Sequence, residues 1–181
     1  MTLVERLARV QAVSFRGRAY RQQSPGYDPR SGAGSRQAGG RFNPPQSFPV
    51  LYLGTSIRTL AAELVRAADR IGLGVDDVLP RELFRYDVEL DAVLDLRDPD
   101  VLALLEVTLD EVLADDRTTS VAIGEEALAL GWQAVWCPSA SGEGDVLAIL
   151  LPNLAGGQLD ATPLHVWRAA SDVESAAKQH E

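Results

Sequence analysis

Apolar positions recur along this chain with a period of two in some stretches and a helical period in others. "VSFRGRAYR" (residues 13–21) reads as a strand ending in Tyr20 and Arg21, and "PVLYLGT" (49–55) as a near-continuous apolar strand. Ser56 then stands as the N-cap of a helix, "IRTLAAELVRAADRIG". At 100° per residue, Ile57, Leu60, Leu64, Ala68 and Ile71 form one apolar stripe on it. In "RELFRYDVEL", Phe84, Tyr86, Val88 and Leu90 alternate with polar residues, the mark of a half-exposed strand, and "AVLDL" (92–96) is a shorter one. Two helices follow, "DPDVLALLEVTLDEVLAD" and "TTSVAIGEEALALG", the second stopped by Gly131. "QAVWCPS" (133–139), "DVLAILLP" (145–152) and "PLHVWRA" (163–169) complete a strand-rich C-terminal half, and the polar tail from Ser171 is expected to fray. Strands and helices do not alternate regularly enough for a doubly wound sheet, so the fold class is α+β. No repeat or linker divides the chain, so one domain is expected over residues 1–170, with 171–181 as tail.

One segment carries no periodicity. "QQSPGYDPRSGAGSRQAGGRFNPPQS", between the first two strands, is rich in Gly, Pro and Ser, and a loop of that length inside a compact domain is usually functional or disordered.

Length and composition narrow the class. The chain has 181 residues, 46% hydrophobic and 24% charged, enough for a single core. The opening "MTLVERLARVQA" reads as an amphipathic helix and not a signal peptide, and no run approaches a membrane span, so cytoplasm is the expected compartment. The single cysteine, Cys137, excludes an intramolecular disulfide and a multi-cysteine metal site. With only His165 and His180, both near the C-terminus, a histidine-based triad or metal centre is not expected.

The net charge of −9 argues against nucleic acid as a partner. That total hides an asymmetry. Residues 1–70 hold eleven arginines against four acids, whereas residues 71–181 hold six basic residues against twenty-two acidic ones. An acidic body with a localised basic pocket suits a small anionic ligand.

"GAGSRQAGG" is not a dinucleotide fingerprint, because it does not open a helix after a strand and the next glycine is Gly39; no P-loop occurs either. Arg21 and Arg41 are better candidates. An arginine fork can grip a phosphate bidentately, and Gly39 and Gly40 let backbone N–H groups approach the same anion. The alternative is that both are surface arginines paired with nearby acids. Glu63 lies on the edge of its helix's apolar stripe, able to face a cleft or to pair with Arg66 at i+3. Tyr52 points away from Leu51 and Leu53, either packing in the core or presenting a ring on which a flat ligand stacks. Ser139 lacks a histidine base, so a hydrogen-bonding or turn role is expected of it.

In order, "YR" at 20–21, a glycine-rich loop, "GGRFN" at 39–43, "PVLYL" at 49–53, a glutamate in the next helix and "PSA" at 138–140 resemble the RES domain. That family is named for arginine, glutamate and serine, and supplies toxins of Xre–RES toxin–antitoxin pairs. The resemblance covers about residues 15–155. It implies an ADP-ribosyltransferase-like mixed sheet core with flanking helices, which binds NAD and breaks its nicotinamide–ribose bond. Carried over motif by motif, the catalytic residues are Arg41, Glu63 and Ser139, and the NAD-binding ones Arg21, Arg41, Tyr52 and Ser139. No metal is required. Phosphate is the favoured acceptor, with water or a protein side chain as alternatives, and an Xre-type antitoxin is the implied partner. A catalytically degenerate domain that only binds a partner is the alternative from another class.

Overall fold

The computed structural model describes residues 1–178; His180 falls outside them. A short helix, α1 (Leu3–Leu7), opens the chain, closed at its start by a reciprocal capping box between Thr2 and Glu5. Strand β1 (Val13–Gln23) follows. The glycine-rich loop holds one helix, α2 (Ala33–Ala38), and ends at β2 (Val50–Gly54). Helix α3 (Ile57–Arg70) is N-capped by Ser56, whose Oγ accepts from the Thr59 N–H at 3.0 Å. Beyond a 3-10 turn come β3 (Arg81–Asp95), α4 (Pro99–Leu105), α5 (Leu109–Leu113) and α6 (Thr118–Ala129). Strands β4 (Ala134–Pro138), β5 (Asp145–Leu150) and β6 (Leu159–Trp167) lead to α7 (Ala170–Ala177).

The six strands form one mixed sheet in the order β1-β2-β5-β4-β3-β6. Among the described residues only β3 and β4 run parallel, Val93–Asp95 beside Ala134–Trp136. Because β1 also pairs antiparallel with β3 over most of its length and meets β2 at Tyr20–Gly54, the pairing closes into a ring. Strand alternation sorts the core around that ring. Leu51, Leu53, Leu147 and Ile149 turn inward onto Tyr86, Val88 and Leu90 of β3. Val50, Ala148, Leu150, Val135 and Cys137 face the other way, onto α1, α4, α5 and α6. Leu60, Ala61 and Leu64 of α3 pack on Leu83, Trp167 and α7.

Five expectations are corrected. The stretch "GAGSRQAGG", read as opening no helix, holds α2 from Ala33 onward. The separate strands at 81–90 and 92–96 are one continuous β3. Where β3 bulges between Leu90 and Val93, opposite Val13–Phe15 of β1, the Gln133 side-chain oxygen accepts from the Asp91 and Ala92 N–H groups, so the strand runs on through the irregularity. The single helix expected over 98–115 breaks at Glu106, whose φ is +57°, and restarts at a second capping box, Thr108 with Glu111. The apolar stripe of α3 ends at Ala68. Ile71 is 67% exposed, because Gly72 at φ +72° turns the chain out while Leu73 N–H donates to Ala68 O in a Schellman closure. The stretch from Ser171 is not frayed over its described length, since Val173 and Ala176 of α7 are buried against α3.

Arg97 ties the end of β3 to β5. Its guanidinium lies 3.2 Å from the ring centre of Trp136, and its N–H groups donate to Asp95 at 2.7 Å and Asp145 at 3.0 Å. Burial pushes the Asp95 carboxyl up, but hydrogen bonds from Arg97 outweigh it and hold the carboxyl below its usual range. A lowered carboxyl stabilises the fold above its ordinary value near pH ~4 and loses that contribution as pH falls through the lowered one. Thermal unfolding followed below about pH 4 should therefore fall more steeply for the native chain than for Asp95→Asn. Equal acid slopes would show that this pair does not contribute.

Candidate active site

A cleft of about 420 Å3 opens on the helix-covered face of β2, between the glycine-rich loop, α3 and the end of β4. Strand alternation puts Tyr52 and Cys137 on that face. Arg21, Arg41, Glu63, Arg66, Arg70 and Arg117 contribute to its lining.

The stretch "GGRFN" is shaped by Tyr52. Gly39 has φ +73° and Gly40 lies so close to the Tyr52 phenol that a Cβ there would collide with the ring, so both positions require glycine. The Tyr52 hydroxyl accepts from the Phe42 N–H at 2.9 Å and donates to Asn43 Oδ1 at 2.8 Å. Asn43, fully buried, donates in turn to the carbonyls of Ser35 at 2.8 Å and Phe48 at 3.1 Å, while Phe42 sits in the core. Arg41 is thus held between a clamped glycine pair and two buried residues. Burial pushes the Tyr52 phenol well above its usual value, so it serves as a neutral O–H. Its hydroxyl is committed to the loop, and its ring reaches the cleft wall.

Arg41 makes no ion pair among the described residues. Its Nη1 donates to the carbonyls of Val112 at 2.9 Å and Ala114 at 3.0 Å, at the end of α5. Those carbonyls are available because α5 ends at Leu113 and Ala114 turns extended. Burial lowers its proton affinity somewhat. Arg21 leaves β1 toward the same cleft, its Nη1 donating to Gln23 Oε1 at 3.0 Å and to the Pro29 carbonyl at 3.4 Å.

Glu63 is not paired with Arg66. Arg66 turns to Asp115 at 3.1 Å. The Glu63 carboxylate instead accepts a short hydrogen bond from the Ser139 hydroxyl, across 76 positions of sequence. Ser139 is 2% exposed, so its Oγ addresses the carboxylate and not the open cleft. Having given its one proton to Glu63, it can only accept from its other neighbours, the Ser141 hydroxyl at 2.6 Å and the Ser141 N–H at 3.1 Å. The chain Ser141–Ser139–Glu63 is directional, and each bond polarises the next. The turn that carries it closes by Ser139 N–H donating to Gly144 O at 2.9 Å.

All five residues singled out from the sequence converge on this cleft or on its carboxylate. Arg66, Arg70, Arg117 and Cys137 were not singled out as site residues. Helical spacing from Glu63, at i+3 and i+7, was the available signal for Arg66 and Arg70; Arg117 and Cys137 have none. Cys137, 1% exposed, has its thiol pushed by burial up to about 12 and is no nucleophile at neutral pH.

The sequence profile of the RES domain matches residues 11–172. The chain belongs to the RES family. Its RES relatives include proteins named NAD(+) phosphorylase MbcT, from Mycobacterium tuberculosis and Mycobacterium bovis, 33% identical over 159 residues, which is 87% of this chain and 86% of theirs. The crystal structure of the M. tuberculosis MbcT–MbcA toxin–antitoxin complex superposes with a TM-score of 0.84 at 29% identity, over 98% of this chain and 97% of that one. The mixed single-domain fold expected from the sequence is the fold of this RES domain.

Tyr52→Phe would leave a buried acceptor on Asn43 and the Phe42 N–H without a partner. Urea unfolding should show a loss of about 1–3 kcal/mol, the cost of unsatisfied buried polar groups. An unchanged midpoint would mean that the hydroxyl does not clamp the loop.

Proposed function

We propose that this protein is the toxin of a toxin–antitoxin pair, and that it depletes NAD by phosphorolysis of the nicotinamide–ribose bond. The observation that carries this reading is the Glu63 carboxylate, fixed by Ser139 at the wall of an arginine-lined cleft, in a chain similar over most of its length to NAD(+) phosphorylases.

The chemistry suits the site. As the C–N bond to nicotinamide lengthens, positive charge develops on the ribose, and a fixed carboxylate stabilises it. The bond's electron pair returns to the pyridinium ring, so nicotinamide leaves neutral and needs no acid. An oxygen of hydrogen phosphate forms the new bond to the anomeric carbon. The products are nicotinamide and ADP-ribose phosphorylated at that carbon, and the phosphate proton need not move during the step.

Arg21 and Arg41 hold the pyrophosphate, Arg41 with the N–H groups not used on α5. The Tyr52 ring supports the nicotinamide–ribose end. Ser139, buried behind Glu63, orients the carboxylate and contacts no substrate. The Xre-type antitoxin covers the cleft and restrains the enzyme in the cytoplasm where NAD is made and used, its acidic groups meeting the same arginines.

Glu63→Gln keeps the size and removes the charge. Turnover of NAD should fall by about a hundredfold or more, with NAD still bound. On that inactive background, Arg21→Ala and Arg41→Ala should each weaken NAD binding measured by calorimetry, because phosphate contacts exist before the transition state. Native turnover in Glu63→Gln would remove the carboxylate from the mechanism. Expression of the chain alone should arrest growth, and co-expression of its antitoxin should relieve the arrest; unimpeded growth with soluble protein present would instead favour a domain that only binds a partner.

A further inference from the structure

Phosphorolysis brings two anions to one site, the pyrophosphate of NAD and the attacking phosphate, and the cleft has more basic groups than the first needs. Arg117, at the N-terminal boundary of α6, is half-buried and lines the cleft, yet its guanidinium makes no hydrogen bond or ion pair among the described residues. The two aspartates that precede it and the carboxylate of the cleft are engaged. Asp115 takes Arg66 at 3.1 Å and lies 3.8 Å from Arg70. Asp116 accepts from the N–H and hydroxyl of Thr118. Glu63 is held by Ser139. Arg41 donates to the Ala114 carbonyl, Arg66 to Asp115, and Arg117 follows two residues on, so three guanidinium groups meet the 112–117 segment at one end of the cleft. Such crowding costs free energy unless an anion sits among them.

Arg21 belongs to a different neighbourhood. Its partners are Gln23 and the Pro29 carbonyl, and its charge is felt by Tyr86 and Arg81. Glu63, by contrast, lies one turn of α3 before Arg66, in the lining that Arg41 and Arg117 share. The cleft therefore has two basic poles, with the carboxylate at the second.

We propose that Arg117, assisted by Arg66, is the acceptor site, which holds inorganic phosphate beside Glu63 for attack on the anomeric carbon while Arg21 and Arg41 hold the dinucleotide. The assignment rests on the phosphorolytic reading above and names residues for its second substrate. A planar guanidinium fork with no internal partner matches two phosphate oxygens and leaves a third free as the nucleophile. Because Arg117 makes no side-chain cap on α6, its replacement removes no bond that the fold uses.

The test separates the two substrates. Initial rates are measured against inorganic phosphate at saturating NAD, and against NAD at saturating phosphate, for the native chain, Arg117→Ala and Arg117→Gln. Loss of one charged fork should raise the KM for phosphate by about tenfold to a hundredfold, with the KM for NAD within about twofold. Arg117→Lys, which keeps the charge and loses the fork, should fall between. An unchanged KM for phosphate in soluble, folded Arg117→Ala and Arg117→Gln, or a rise confined to the KM for NAD, would overturn the assignment and leave the phosphorylase reading standing. No phosphate-dependent turnover by the native chain would overturn both.

Discussion

The hydrogen bond from Ser139 to Glu63 joins the end of β4 to the middle of α3, and the site depends on it. A carboxylate among five arginines would ordinarily collapse into an ion pair, and a paired carboxylate has less field to offer a developing cation. Here the competition is resolved in advance. Asp115 occupies Arg66, the carbonyls of Val112 and Ala114 occupy one nitrogen of Arg41, and Ser139 takes Glu63 from the other side. The carboxylate is held by a neutral donor and, among the described residues, makes no ion pair.

The rest of the fold serves that separation. Closure of the sheet through β1 and β3 fixes β2, whose Tyr52 clamps the loop that carries Arg41. The C-terminal end of α5 presents carbonyls to the same arginine. Packing of α7 on α3 supports the helix that carries Glu63 and Arg66 from behind. Four of the five cleft arginines come from the basic first seventy residues, and the acidic remainder supplies Arg117 together with Asp115, which steers Arg66 and Arg70.

What was legible in the sequence was local. The glycine pair before Arg41, the alternation that turns Tyr52 from Leu51 and Leu53, the Ser56 cap and the position of Glu63 at its stripe's edge all follow from short-range geometry, and the structure places them as such. What was not legible depended on distant partners. Gln133 bridges the irregular part of β3, and a buried face against α3 orders α7. The α4–α5 break was signalled by Thr108 and Glu111, a capping box hidden inside an apolar helical run. The engagement of each acid around Arg117 is a property of the folded surface that no spacing records.

On the proposed reading, this cleft transfers ADP-ribose from nicotinamide to phosphate. Phosphorus NMR of the purified protein with NAD and inorganic phosphate distinguishes the products. A new phosphomonoester resonance should grow in step with free nicotinamide and be absent without phosphate. Nicotinamide release accompanied only by free ADP-ribose, or NAD left intact, would contradict it.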